Sequence, residues 1–386
     1  MKAKRVQSPY KEERHVFKRS KLLALAAVGV LAMGGLAACG DDDDDGGNGG
    51  GGGGGGGGDT PRVGVLLPDS KSSVRWETVD RPALDEALKE GGVEADIQNA
   101  EGNKSTQQQQ AEQMITNGAK VLLLVNLDSG SGAAIAANAQ SQGVKVIDSD
   151  RLTLDTDATD YYVSFDNEKV GELQGQGLVD CIGNKQGARI AVLNGSPTDN
   201  NATLFKNGYD SVINPKFDSG DWTEVDDQSV PDWDNQKALT IFEQMLQAAD
   251  NKIDGVLAAN DGLGNAAISA LKQRKLPQIP VTGQDATLEG IQNIVNGDQC
   301  MTVYKAIQKE ADAAAELAIA LAKGEEPQAT TTPVNNETHD VPSVLLDPVA
   351  VTKDNISEYT GEPDFPKVEE ICAGKVAAKC KEIGLQ

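Results

Sequence analysis

The chain has 386 residues, 59 acidic side chains against 35 basic ones, and a net charge of −24. That balance repels phosphate backbones and excludes nucleic acid as a natural partner. Two histidines in the whole chain leave little material for imidazole acid–base chemistry, while the length suffices for two domains.

Residues 1–21 carry eight basic side chains against Glu12 and Glu13, and 22–38 carry no charge at all. A basic segment, an apolar segment and small residues before a cut site describe an export signal over 1–38. The ending Leu36-Ala37-Ala38-Cys39 resembles a bacterial lipobox, in which the cysteine is lipidated and becomes the new N-terminus. A membrane-spanning anchor is the competing reading. It fails on length, since a stable span needs about 20 apolar residues, and it gives the position of Cys39 no purpose. Residues 39–60 then form a tether, with Asp41 to Asp45 followed by a run of glycine. Such a composition buries no apolar area and behaves as a flexible coil, with a root-mean-square reach of roughly 25 Å. Five aspartates on a floppy chain have no fixed ligand geometry, so no metal site is expected there. Because 1–38 carries eight basic and two acidic side chains, the rest of the chain stands at −30.

Beyond the tether, strand and helix signals alternate. Short apolar runs occur at Arg62–Leu67, Val121–Val125, Val144–Ile147, Arg189–Leu193 and Gly255–Ala258. A helical pattern follows the first run through Glu90, and others cover 131–142, 168–182, 199–213, 236–249 and 308–323. Continuous apolar strands separated by helices predict parallel sheets covered on both faces, an α/β doubly wound architecture. Ligands in such sheets sit beyond the carboxyl ends of the strands.

Polar residues gather at those ends. Arg75 and Trp76 follow the first strand, and Asp150 and Arg151 follow Val146-Ile147. Asp199 and Asn201 follow Val192-Leu193, Asn260 follows Leu257-Ala258-Ala259, and Asp285 follows Pro280-Val281-Thr282. Singly, an Asp or Asn there is an ordinary helix N-cap, and Asp261 is expected to be one. As a set, carboxylates that accept, cations that donate and amides that do both suit the paired hydroxyls of a sugar. Trp76 and Trp233, two of only three tryptophans, lie near these loops and offer flat faces to sugar C–H groups.

Four cysteines remain after Cys39, namely Cys181, Cys300, Cys372 and Cys380. An even count in an exported chain predicts two disulfides over free thiols. Of the three pairings, Cys372–Cys380 closes a short local loop and is favoured, leaving Cys181 with Cys300.

The stretch Tyr162-Val163-Ser164-Phe165-Asp166-Asn167-Glu168-Lys169-Val170-Gly171 resembles the sugar-binding lipoproteins and periplasmic proteins of ABC importers. So do Gly195-Ser196-Pro197-Thr198-Asp199-Asn200-Asn201, Gly283-Gln284-Asp285-Ala286 and Met301-Thr302-Val303-Tyr304-Lys305. The motifs keep their order over nearly all of 62–360, and the D-xylose-binding branch is the most similar. The resemblance implies two α/β lobes, 61–164 plus 302–346 and 165–301 plus 347–386. Three crossovers would join them, near Val163–Asp166, Cys300–Tyr304 and Leu345–Pro348. It implies a sugar held in the interlobe cleft by Arg75, Trp76, Asp150, Arg151, Asp199, Asn201, Trp233, Asn260, Asp285 and Lys305. It also implies a monomer that delivers an aldopyranose, xylose before glucose, to an ABC permease, with no cofactor. Two departures stand out. The first loop, Pro68 to Val74, differs from the branch and is one residue longer, and there Lys71 or Asp69 could meet an extra sugar hydroxyl. The tail with Cys372 and Cys380 lies outside the resemblance.

An enzyme fits poorly, because no Gly-x-Ser-x-Gly elbow or His-Glu-x-x-His pair is present and Gly171–Gly177 matches no phosphate-binding fingerprint. A transcription regulator of related fold would need a DNA-binding headpiece where the export signal stands. A sensor that presents its sugar to a membrane receptor is the alternative to transport.

Overall fold

The computed structural model describes residues 60–385. The expected export signal 1–38, Cys39 and nearly all of the 39–60 tether lie outside the described residues. The first strand, β1 (Arg62–Leu67), is buried along almost its whole length. It pairs in parallel with β2 (Glu94–Asn99) on one side and β3 (Ala119–Leu124) on the other. Next to β3 come β4 (Lys145–Ser149), β5 (Tyr161–Phe165), β11 (Asp340–Leu346) and β10 (Thr332–Asn335), giving seven strands in one sheet. Only β10 runs antiparallel to its neighbour. Successive β1 side chains point to opposite faces, and both faces are apolar. Val63, Val65 and Leu67 pack under α1 (Arg81–Glu90) and α9 (Ile307–Ala322). Leu66 packs under α2 (Lys104–Thr116) and α3 (Ser129–Ser141).

The second lobe has its own parallel sheet, β7 (Trp222–Ser229), β6 (Ala188–Asn194) and β8 (Gly255–Ala258), in the order β7-β6-β8. Val256 bridges to Val281. The Cys300 N–H then donates to the Val281 carbonyl at 2.9 Å, which brings β9 (Met301–Tyr304) alongside. The last strand, β12 (Val349–Thr352), pairs antiparallel with β9. Four helices cover this sheet: α4 (Asn167–Ile182), α5 (Asn200–Asp218), α6 (Asn235–Ala248) and α7 (Asp261–Gln273); α8 (Leu288–Asn296) lies beside β9. One apolar cluster from Val170 to Val303 fills the lobe. The chain passes between the sheets three times, from β5 into α4, from β9 into α9 and from β11 into β12. This is the expected α/β fold of two doubly wound lobes with a three-crossover hinge, with antiparallel pairs added at the margins.

Three sheet-edge strands were not legible as strands, β2, β7 and the short β10. β2 (EADIQN) and β7 (WTEVDDQS) are half-exposed edges, and polar edges carry a weaker apolar signal than central strands. The polar α2 was hidden for the same reason, burying only Gln107, Ala111, Met114 and Ile115. The glycines of 171–177 have a packing role. A Cβ on Gly171 would lie 2.0 Å from the Phe205 carbonyl oxygen, and one on Gly208 would lie 2.1 Å from that of Glu168. Only glycine lets α4 and α5 cross at that distance. Both disulfides are present, Cys181–Cys300 and Cys372–Cys380. The first ties α4 to the start of β9, and the second closes the tail that packs on α8. No helix among the described residues is long and apolar enough to cross a membrane.

Candidate functional site

The loops at the carboxyl ends of the parallel strands converge on one small cavity between the lobes, with room of about 30 Å³. Its walls include Arg75, Trp76, Asp150, Arg151, Asp199, Asn201, Trp233, Asn260, Asp285 and Lys305, so the structure brings all ten sequence-derived positions together. Four more lining residues, Ser72, Ser73, Phe205 and Gln284, were missed. Ser72 and Ser73 sit in the first loop and Gln284 beside Asp285, so proximity to motif residues was a usable signal for these three. Phe205 lies one turn into α5 and resembles a core residue in sequence. Asp69 and Lys71 do not line this cavity. They line a neighbouring opening at its mouth, because Asp69 accepts from the N–H groups of Lys71 (2.6 Å) and Ser72 (2.5 Å) and is turned into its own loop.

Asp150 is the centre of the polar wall. Its carboxylate lies 2.9 Å from Arg75 Nη2 and 3.3 Å from Lys305 Nζ. Asn201 Nδ2, from the other lobe, donates to its carbonyl at 2.9 Å. Burial would raise the Asp150 carboxyl, but Lys305, Arg75 and Arg151 outweigh burial and hold it well below the usual carboxylate range. Behind it, Arg75 also meets Asp80 at 3.0 Å and Glu310 at 3.4 Å. Burial first, and then the charge of Asp150, push Glu310 up to about 8. Lys305 reaches a second carboxylate, Asp285, at 3.9 Å.

The tryptophans are held at their nitrogens. Trp76 Nε1 donates to Ser72 Oγ at 3.2 Å, and Trp233 Nε1 donates to Asp199 Oδ2 at 3.0 Å. Trp76 opens a π-helical turn, Trp76–Asp80, with the Arg75 guanidinium 4.1 Å from its ring centroid. Trp233 stands edge-on to Phe205, with ring centroids 6.3 Å apart. Asp199 also accepts from Asn201 N–H at 3.0 Å and pairs with Arg151 Nε at 3.2 Å. Three lining residues, Asp150 (φ 63°), Trp233 (φ 54°) and Asp285 (φ 95°), have left-handed backbones, a strained state for bulky side chains that tends to mark functional sites.

Two polar atoms on the cavity wall have no protein partner, Ser73 Oγ and Gln284 Oε1. A buried acceptor without a partner costs stability, so these atoms are available to a ligand's hydroxyls. Asn260 does not give its carbonyl to the cavity, since Oδ1 accepts from Leu263 N–H at 2.9 Å and caps α7. That corrects the expectation for Asp261, which is not the cap. No group of three or more His, Cys, Asp or Glu among the described residues could hold a metal ion.

A closed, polar, two-walled cleft between doubly wound lobes defines a ligand-binding protein. The family model of a periplasmic binding protein domain matches residues 63–326, and the chain belongs to that family, one of binding proteins and not of enzymes. The D-xylose-binding periplasmic protein of Escherichia coli is 42% identical over 80% of this chain and 92% of its own. The multiple sugar-binding periplasmic receptor ChvE of Rhizobium radiobacter is 34% identical over 81% and 93%. Among solved structures, an ABC transporter solute binding protein from Clostridium phytofermentans with bound β-D-glucose superposes with a TM-score of 0.75, at 29% identity, over 80% of this chain and 99% of its own. A carbohydrate transporter solute binding protein from Chloroflexus aurantiacus in complex with D-glucose gives 0.73 at 32% identity, over 80% and 99%.

Proposed function

We propose that this chain is the extracytoplasmic sugar-binding component of an ABC importer, taking an aldopyranose into the interlobe cleft and delivering it to a permease. The observation that carries this reading is the convergence of side chains from both lobes on one small polar cavity. Fixed cations, carboxylates and amides there match a ring of hydroxyls, and the two indoles match its C–H faces. The relatives named for xylose, multiple sugars and glucose support a monosaccharide. D-xylose is the favoured ligand and D-glucose the next.

The lobes 61–164 plus 302–346 and 165–301 plus 347–386 move as bodies about the three crossings. Sugar touches both only when they close, so it shifts the population toward closure, and the permease reads the closed surface. The protein works as a monomer, held at the membrane by a lipid on Cys39. Presentation of the sugar to a membrane receptor is a second reading, favoured by the relative named as a receptor.

Calorimetric titration of the 60–386 domain with xylose, glucose, ribose and galactose tests the binding reading, and no heat with any of them would end it. Expression of the full chain with Cys39→Ser tests the anchor. The variant should lose the lipid and leave the membrane fraction with unchanged sugar affinity, because the tether separates anchor from fold. A variant that stayed acylated would remove the lipobox assignment.

A further inference from the structure

One of the most deeply buried acids near the cleft is not one of its walls. Asp261, the residue after the α7 cap, is fully buried, and none of its atoms lines the cavity. Its carboxylate collects four hydrogen bonds. Oδ2 accepts from Thr287 N–H at 2.8 Å and Thr287 Oγ1 at 3.0 Å. Oδ1 accepts from Gln299 Nε2 at 2.8 Å and Thr302 Oγ1 at 2.8 Å. Its own N–H donates to the Gln284 carbonyl at 3.0 Å. The same residue therefore grips both ends of the loop 284–287 and, through Thr302, the hinge strand β9.

Between those grips lie Asp285 and Ala286, both with left-handed backbones, φ 95° and 48°. Two successive non-glycine residues in that region are strained, and in a buried loop surrounding contacts hold them there. Asp261 supplies such contacts, and the loop they fix aims Asp285 at Lys305 and the cavity. The surroundings are shaped around this carboxylate. A Cβ on Gly283 would lie 2.1 Å from Asp261 Oδ1, and one on Gly290 would lie 2.2 Å from Oδ2, so both positions leave it room. No cation pairs with it among the described residues; burial first, and then the charge of Asp285, raise its carboxyl to about 7. A group kept there at that electrostatic cost has hydrogen-bond geometry as its use.

We propose that Asp261 is a positioning residue of the binding site: without touching the ligand, it fixes the 284–287 loop against β9 and so sets the aim of Asp285. The inference rests on the sugar-binding reading above. Asp261→Asn keeps the shape but turns an amide N–H toward groups that already donate. It should weaken binding of the best sugar of the panel about tenfold or more, the scale of losing one charge-assisted bond.

The test is a double-mutant cycle by calorimetry on the 60–386 domain, at a temperature where circular dichroism finds every variant folded. The effect of Asp261→Asn should largely vanish in an Asp285→Asn background and persist in full beside Trp76→Phe, on the far lobe. Thr302→Val should weaken binding and Thr302→Ser should restore it, because only the hydroxyl joins Asp261 (2.8 Å) and the Ala286 N–H (3.3 Å) to β9. Should Asp261→Asn fail to fold, the threonine pair carries the test. Equal affinity of Asp261→Asn and wild type, full additivity with Asp285→Asn, or equal behaviour of Thr302→Val and Thr302→Ser would overturn the proposal. Wild type that binds no sugar would instead overturn the functional reading beneath it.

Discussion

Arg151 and Asp199 meet across the cleft, guanidinium Nε to carboxylate at 3.2 Å, with both side chains more than nine-tenths buried. Arg151 follows β4 in the first lobe and Asp199 caps α5 in the second, so their pair exists only when the lobes are together. It is a latch as well as part of a wall. A buried ion pair contributes little net stability over an apolar substitute, but leaving one partner unpaired is costly. Arg151→Ala should therefore open the unliganded protein, visible as a larger radius of gyration in small-angle scattering, and cut sugar affinity by about 1.5–3 kcal/mol. Scattering curves identical to wild type would mean that the pair does not govern closure.

Asp285→Ala should weaken sugar binding by about 2–4 kcal/mol, since it removes a buried acceptor and leaves donors of ligand and protein unpaired. Asp261→Ala, one residue past Asn260, is no control, because that carboxylate holds the Asp285 loop. The fitting control is Asp250→Ala, in an exposed turn after α6, which should bind as wild type does. Unchanged calorimetric affinity for Asp285→Ala would take this residue out of the site.

The case of Asp261 also marks where sequence stops being readable. Central strands such as β1 and β6 were legible because burial on both faces demands a continuous apolar run, and the ends of the legible strands then located most of the lining positions, while Lys305 came from the family resemblance alone. Which of two adjacent polar residues caps a helix depends on backbone angles that no residue name encodes. Asn260 has the extended φ and ψ of a cap, and Asp261 is already helical. The edge strands β2 and β7 were illegible for the converse reason, since half-exposed strands tolerate any polar residue. Likewise nothing in Pro68 to Val74 tells that Asp69 folds back on its own loop.

Buried acids should make the fold more stable at mildly acidic pH than at pH 8. Burial raises Asp148 to about 7, Asp261 to about 7 and Glu310 to about 8, all above their unfolded values near 4. The folded state therefore binds more protons than the unfolded one, and stability falls as pH rises from about 4 to about 8. Asp150, held low by its cations, acts oppositely only at pH values below the usual carboxylate range. Thermal melts should give a midpoint several degrees higher at pH 5 than at pH 8, and Asp148→Asn should flatten that slope. A midpoint that rises from pH 5 to pH 8 would contradict the assignment of these groups as buried acids.

The identity of the sugar turns on one substituent. Xylose and glucose differ by the hydroxymethyl group on C5. In a cleft closed tightly on a pentose that group is overpacked, at about 1–3 kcal/mol. A pocket built for glucose would instead offer its hydroxyl a partner and penalise xylose for leaving that partner unpaired. With Lys71 and Asp69 outside the cavity lining, Ser73 Oγ is the first-loop atom free for that role. Xylose is expected to bind tighter than glucose, with Ser73→Ala changing the two affinities by similar amounts. Loss of glucose affinity alone in Ser73→Ala, or tighter glucose binding by wild type, would reverse the choice of sugar. The ring faces are a separate matter. If the sugar lies between Trp76 and Trp233, Trp233→Ala should lose most of the sugar-induced fluorescence change and most of the affinity. Trp233→Phe, which keeps a flat face but not the bond to Asp199, should keep a good part of the affinity. Full retention by Trp233→Ala would rule out stacking on that ring whatever the sugar.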